Sequence, residues 1–325
     1  MHLESTHQSS FPDSPPMESV ACYQCGSLKG HPFIQAQDDL TGKSGLFQFI
    51  SCESCKLVFQ NPRLPTHQIK DFYDDEYIAH RKKKNWGILT PFYERAMEKH
   101  DREKSKIVQQ YVKLGKNSHV LDIGCGAASF LGYLRKKFSV HTSGLDFKDL
   151  RSQATDQGAD FFYGTLKEQT FKPKSFDLIT MWHYLEHDYD PLGSLERCRD
   201  LMKSNGRLVI EVPRLDSLSF SVFKDRWPGL QAPQHTVLFT KDSLLAMLEK
   251  AGLELIDYLP WGAFPSYFYF FAGALFKKNK GSGVNFDRVI LPYYLGQQMS
   301  RPFFAFERRL NLAMQTVICR APLKN

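Results

Sequence analysis

A chain of 325 residues with 42% apolar and 24% charged side chains can bury a full core and exceeds one typical domain, so it reads as a globular core with additions. No apolar run approaches the roughly 20 residues of a membrane span, and residues 1–19, rich in Ser, Pro and His, lack the apolar centre of a secretory signal and read as a disordered lead-in. The net charge is +7, and the whole excess lies in residues 262–325, which hold nine Lys or Arg against two Asp or Glu.

The first chemical signal is a pair of knuckles, Cys22-Tyr-Gln-Cys25 and Cys52-Glu-Ser-Cys55. Each brings two thiolates within reach of one ion, and four thiolates fill the tetrahedral shell of zinc, so Cys22, Cys25, Cys52 and Cys55 predict a closed, structural Zn2+ site in a ribbon over 20–65. Free cysteines or a redox pair would be the bland alternative. With four of seven cysteines spaced for a metal, a reducing cytoplasm is the expected compartment. Beyond Asn61-Pro-Arg-Leu-Pro65 the pattern turns helical: a helix capped by Thr66 carries Ile69, Phe72 and Tyr73, and a second is expected over 92–114, giving a connector over 66–115. Arg81-Lys-Lys-Lys84 between them has no aromatic platforms and reads as solvated surface; no nucleic-acid partner is expected.

The rest of the chain is organised around Val120-Leu-Asp-Ile-Gly-Cys-Gly-Ala-Ala-Ser129. An apolar strand runs into a glycine turn and then a helix, expected over 127–137, whose N-terminal amides and dipole face the crevice at the strand's carboxyl end. Further strands are expected over 140–145, ending in Asp146, then 161–163, 176–181 and 207–212. The alternation with helices predicts a doubly wound α/β domain with a mainly parallel sheet. Asp146, about 20 positions after the glycine turn, stands where a carboxylate accepts both hydroxyls of a ribose; its bland reading is a helix cap.

Several longer stretches now carry a resemblance: Phe176-Asp-Leu-Ile-Thr-Met-Trp-His-Tyr-Leu-Glu-His187 with Asp190-Pro191, Asn205-Gly-Arg-Leu-Val-Ile-Glu-Val-Pro213, and Trp227-Pro-Gly-Leu-Gln-Ala-Pro-Gln-His235 before Phe239-Thr240. Over about residues 22–258 the chain resembles class I S-adenosylmethionine-dependent methyltransferases, in particular the branch with an N-terminal zinc-binding segment. The resemblance implies a seven-stranded Rossmann-like sheet and S-adenosyl-L-methionine as cofactor. It places Asp122, Gly124 and Gly126 beside the methionine and ribose, Asp146 on the ribose hydroxyls, Phe147 on the adenine face, and Met181 and Trp182, with His183, beside the sulfonium. Thr165 stands where many relatives carry an acidic residue for the adenine amino group. A dinucleotide is the competing cofactor, but Ser129 occupies the position of the third glycine its turn requires.

Methyl transfer needs a nucleophile aligned behind the methyl carbon and, where that nucleophile carries a proton, a base; His235, His183 and His187 are the candidates, in that order of preference for the first two over the third. Each could equally be a hydrogen-bonded framework residue, and Glu186 could orient an imidazole or cap the helix after Asp190. A helix over 241–251 and strands over 253–258 and 314–320 complete the domain of 116–325, with an insertion over 261–312. Within it, Phe264 to Phe276 holds seven aromatics in thirteen residues, followed by Lys277, Lys278 and Lys280. Aromatic surface beside cations suits a membrane edge or a lipid-linked acceptor, contacted through 264–312; cover for a sheet edge or a dimer contact is the alternative. The expected function is methyl transfer to a small molecule: a sugar or glycan precursor, a lipid-linked acceptor or a quinone-like phenol. A non-catalytic cofactor-binding protein that docks through ribbon and tail is the alternative.

Overall fold

The computed structural model describes residues 16–73, 90–279, 282–304 and 306–322; residues 1–15 of the lead-in, the run Arg81 to Lys84 and Lys280 lie outside them. Seven strands form the main sheet: β4 (His119–Ile123), β5 (His141–Asp146), β6 (Asp160–Tyr163), β7 (Phe176–Trp182), β8 (Met202–Pro213), β10 (Glu254–Leu259) and β11 (Met314–Arg320). Their spatial order is β10-β11-β8-β7-β4-β5-β6. Pairing is parallel from β8 through β6, while β11 runs antiparallel to both its neighbours. This is the mainly parallel, doubly wound sheet expected. Leu121, Ile123, Ile179, Leu208 and Ile210 lie completely buried in its centre, as befits strands covered on both faces. The strand order reverses at β4, with β5 on one side and β7 on the other, which opens a crevice above their carboxyl ends.

Helices α3 (Ser129–Phe138), α4 (Arg151–Asp156), α5 (Pro191–Leu201) and α7 (Lys241–Lys250) connect the strands. The helix after the glycine turn starts two residues later than expected because Ala128 adopts a left-handed conformation, φ 58°. Asp190 caps α5 by accepting from the Gly193 amide at 3.1 Å, so Glu186 is not that helix's cap. α1 (Thr66–Ile69) begins with Thr66 inside the helix and Pro65 at its cap. α2 (Thr90–Gln109) ends five residues short of the expected end; Tyr111, Val112 and Leu114 still pack on the core while the chain turns into β4.

The cysteine-bearing segment is welded to the main sheet. Strands β1 (Gly30–Ala36), β2 (Phe47–Cys52) and β3 (Val58–Gln60) form an antiparallel sheet whose fourth strand, β9 (Val237–Leu238), comes from the loop after β8. Val58 pairs with Leu238 and Phe59 with Val237. Cys22, Cys52, Leu57 and Phe59 share one apolar core with Leu121, Ile123 and Val212 of the main sheet. Burying Phe59 alone contributes about 2–3 kcal/mol to this joint.

Between β10 and β11 lie α8 (Ser266–Asn279), α9 (Phe286–Met299) and α10 (Arg301–Phe304). Tyr269, Ala272 and Phe276 of α8, spaced three and four apart, are buried in the core that contains Trp227 and Leu230. Tyr267 and Phe271 meet Tyr293 of α9, both at 5.3 Å between ring centroids.

Candidate active site

The glycine turn is built from its own backbone. Gly124 and Gly126 have φ of 75° and 52°, and the amides of Gly124 and Cys125 donate to the Leu145 carbonyl at 2.8 and 3.1 Å. A side chain at Gly124 would also strike the Tyr184 ring, 2.7 Å from an added Cβ. Asp146, at the end of β5, accepts from the Gly126 amide through one oxygen and from the Lys148 amide through the other, both at 2.9 Å. Each oxygen keeps a lone pair for a ligand. Phe147 faces the same crevice, its ring 4.7 Å from that of Tyr73.

Three buried carboxylates converge beside the turn. Asp122 accepts from the Thr180 hydroxyl at 2.6 Å, and burial, reinforced by Asp101 and Asp146, lifts its carboxyl to about 7. Burial likewise raises Asp101 and Asp146, and one Asp101 oxygen is buried with no hydrogen-bond partner among the described residues. An acidic, partly unsatisfied cradle fits a ligand that carries an ammonium and a sulfonium, so these residues suit S-adenosylmethionine. Asp101 gave no signal in the sequence; only the packing of α2 over the crevice discloses it.

Trp182 and His183 line the crevice, whereas the Met181 side chain is wholly buried in the sheet core. The two-residue alternation of β7 turns it away, so of the stretch expected beside the sulfonium only Trp182 and His183 present side chains to the crevice. Thr165 lies at the crevice wall as the cap of a short turn, its amide donating to Glu168 at 2.7 Å. Glu168 thereby folds back on the turn.

The three histidines gather where β7 ends. His183 stands between two buried carboxylates, its Nδ1 3.6 Å from Glu186 and its Nε2 3.2 Å from Glu211. Burial opposes its charge, but the two carboxylates outweigh burial and lift it to about 9. His187 and His235 meet edge to face at 4.4 Å. His235 Nδ1 donates to the Gly229 carbonyl at 2.8 Å, and burial next to His187 pushes the imidazole down to about 3. His187 Nδ1 lies 3.0 Å from the Gln234 carbonyl and 2.8 Å from the Tyr73 hydroxyl, and burial lowers it too.

Glu211, on β8, was not singled out from the sequence. Its buried carboxylate accepts from the amides of Ala263 and Phe264 at 2.6 and 3.0 Å and from the Thr316 hydroxyl at 3.3 Å. Gly262 permits this approach, since an added Cβ would lie 2.6 Å from the carboxyl carbon. Phe264 is thereby held edge-on to His183 at 4.9 Å, and the aromatic wall of Phe264, Phe268 and Phe271 continues the crevice away from the cofactor end.

At the ribbon, the four Sγ atoms lie within 4.8 Å of one another, with Cys22 to Cys55 at 3.4 Å and Cys25 to Cys52 at 3.5 Å. Four sulfurs bound 2.3 Å from one zinc would stand about 3.8 Å apart. The two knuckles turn alike: the Gly26 amide donates to the Cys22 carbonyl and the Lys56 amide to that of Cys52, both residues having positive φ. Burial raises the Cys22 and Cys55 thiols, whereas at Cys52 the amides of Cys55 and Ser54 outweigh burial and bring the thiol down to about 7, toward the thiolate a metal ligand requires. The donor set fits structural zinc.

Sheet order, glycine turn and acidic strand tip together define a class I S-adenosylmethionine-dependent methyltransferase fold. A family model described as a methyltransferase domain matches residues 93–258, more than half of the chain, and the protein belongs to that family. It is 25% identical over 155 residues to a ubiquinone biosynthesis O-methyltransferase of Dinoroseobacter shibae, covering 44% of this chain and 62% of that protein. It is 24% identical over 247 residues to a sphingolipid C9-methyltransferase of Candida albicans, covering 66% of this chain and 47% of the relative. The chain thus spans less than two thirds of either relative. Among solved structures it is similar to phosphoethanolamine N-methyltransferase 2 of Haemonchus contortus, with a TM-score of 0.47, 15% identity, and 68% of this chain and 53% of that one covered.

Proposed function

We propose that this protein transfers a methyl group from S-adenosylmethionine to a small acceptor with an apolar body, a quinone-like phenol or a lipid-linked hydroxyl. The observation that carries the reading is the continuity of one crevice, from the acidic end at Asp101 and Asp146, past the histidines, to the wall of Phe264, Phe268 and Phe271. When bound, S-adenosylmethionine supplies an electrophilic methyl on a sulfonium. Asp146 holds the ribose hydroxyls with its remaining lone pairs, Asp122 and Asp101 offset the positive charge, and Trp182 shields the reacting end from water. His183, kept charged by Glu186 and Glu211, places a cation beside the reacting end; proton acceptance falls to His235 and His187, whose Nδ1 protons are committed to carbonyls. The names of the two curated relatives, one a ubiquinone and one a sphingolipid methyltransferase, agree with an apolar acceptor.

Such an acceptor resides in a membrane, and among the described residues no helix is long and apolar enough to cross one. Contact from the surface is served by α9 and the segment after it: Leu291, Tyr294, Leu295, Met299, Phe303 and Phe306 are exposed, Met299 at 83%, beside Arg308 and Arg309. Positions 291, 294, 295 and 299 share one helical face. Calorimetric binding of S-adenosylmethionine, followed by transfer of a labelled methyl to a prenylated hydroquinone and to a nucleotide sugar, tests the reading. Transfer to the hydroquinone supports it; transfer to the sugar alone, or no cofactor binding by folded protein, refutes it.

A further inference from the structure

Apart from the four cysteines, one other group of side chains among the described residues converges as metal ligands do: Glu186, His187 and His235, each with a ligand atom within 4.8 Å of the other two. Two observations set this group apart from a chance cluster. First, Glu186 is 1% exposed, yet neither carboxylate oxygen accepts a hydrogen bond from any described residue; its nearest cation is His183 Nδ1 at 3.6 Å. Charged His183 offsets its charge from that distance but makes no hydrogen bond, so both buried oxygens keep lone pairs for a further partner.

Second, both imidazoles are fixed in one tautomer by backbone carbonyls. A carbonyl oxygen can only accept, so His235 Nδ1 carries its proton toward Gly229 at 2.8 Å and His187 Nδ1 carries its proton toward Gln234 at 3.0 Å. That leaves an Nε2 lone pair on each ring. A histidine that binds a metal through one nitrogen nearly always donates the other N–H to a carbonyl or carboxylate, which is the arrangement here twice over. The rings are also held in place: Tyr73 contacts His187, and the Thr236 amide after His235 donates to the Glu186 carbonyl at 2.8 Å.

We propose that Glu186, His187 and His235 bind a divalent transition-metal ion, with its open positions toward the acceptor end of the crevice. Two imidazoles and a carboxylate suit Zn2+, Mn2+ or Fe2+ rather than Mg2+ or Ca2+, which prefer all-oxygen shells. Ligands about 2.1 Å from one ion stand roughly 3.3 Å apart, so the present separations close by an ångström or so when the ion enters. All three residues line the crevice that also holds Trp182 and Asp146. This deepens the methyltransferase reading and rests on it: with the ion bound, the Nε2 lone pairs of His187 and His235 go to the metal in place of proton acceptance, and the ion would hold an acceptor hydroxyl or vicinal diol and lower its pKa so that its proton leaves to water, which favours oxygen as the methylated atom.

Metal counting on the full chain tests the proposal, with calorimetry of S-adenosylmethionine binding run on the same samples. After equilibration with micromolar Zn2+ and gel filtration, plasma emission should find two zinc ions per intact chain, one per chain in Glu186→Gln and His235→Ala, and one in Cys52→Ser. One ion in the intact protein, or two in the Glu186 and His235 variants, would overturn it. Should those variants fail to fold, cobalt titration of the intact chain decides: a second equivalent must bind without adding to the thiolate charge-transfer absorption, and its absence rejects the site. Two metal ions with no cofactor binding would instead sink the methyltransferase reading and leave the metal site standing.

Discussion

Glu211→Gln is the substitution that probes the site most directly, because one buried carboxylate joins three parts of it. Glu211 accepts two amides from the start of the segment after β10 and a hydroxyl from β11, and it faces His183 Nε2 at 3.2 Å. Glutamine keeps one acceptor oxygen and turns an NH2 group toward the other amide, leaving a buried donor unsatisfied at about 1–3 kcal/mol. His183 also loses one of its two anionic partners, although Glu186 remains. Together these amount to roughly 2–4 kcal/mol, which for a chain of this size lowers the melting temperature by about 3–6 °C. Phe264 is released from its position against His183, so KM for the acceptor should rise more than kcat falls, while cofactor affinity, set on the far side of β4, stays within about twofold. Differential scanning calorimetry and steady-state kinetics read both effects. A variant that melts with the wild type, or whose loss appears in cofactor binding alone, would show that Glu211 does not hold the aromatic wall.

Asp146→Ala removes the ribose acceptor and should weaken S-adenosylmethionine binding about 10–100-fold by calorimetry; unchanged affinity would reject this residue's role. Asp122 has a raised folded-state carboxyl of about 7, so the unfolded chain binds fewer protons and ligand-free stability falls as pH rises from about 4 to 7. Asp122→Asn should flatten that window in chemical denaturation, and a slope as steep as the wild type's would assign the loss elsewhere. Leu295→Glu on the exposed face of α9 should abolish flotation with anionic vesicles while leaving methylation of a detergent-solubilised acceptor intact; flotation that survives would count against membrane contact there. Cys52→Ser should release the ribbon zinc and lower activity with the cofactor site still able to bind, as measured by zinc content and calorimetry.

The strands from Val120 onward were legible because each combines an apolar run with a turn signal, and the place of Asp146 because it closes the strand that follows the glycine turn. Only the edges moved: β8 begins at Met202, five residues before the expected start, since Met202 pairs with Phe176 across an irregularity at the sheet end. What stayed hidden depends on contacts between distant segments. Asp101 looks like any charge on an exposed helix until α2 covers the crevice, and Glu211 looks like one polar position in a strand until the chain returns 52 residues later to place Ala263 against it. The histidines could be named, and His235 and His183 preferred to His187, but their separate roles stayed hidden because they turn on which nitrogen faces a carbonyl and which a carboxylate.

The least legible relation is between the cysteine-bearing segment and the histidines, which the sequence separates by at least 128 residues and the fold joins by a small network of hydrogen bonds. Gln60, at the end of β3, donates its amide to the Thr236 carbonyl at 2.8 Å; Thr236 donates its own amide to the Glu186 carbonyl at 2.8 Å and its hydroxyl to Asp188 at 2.8 Å; and His235, one residue earlier, sits on the Gly229 carbonyl. The ribbon strand therefore sets the height at which His235 meets His187. With Cys52 at the end of β2 and β2 paired to β3, an ion that draws the knuckles together also fixes β3, and through it β9 and the loop before it. A small antiparallel sheet with a three-residue strand at its centre has little stability of its own, so ribbon and active-site loop should order or loosen as one unit. On this account the ribbon is a brace for the histidine cluster, and a zinc ion held by its four cysteines would act on catalysis from outside the crevice by holding that brace in place.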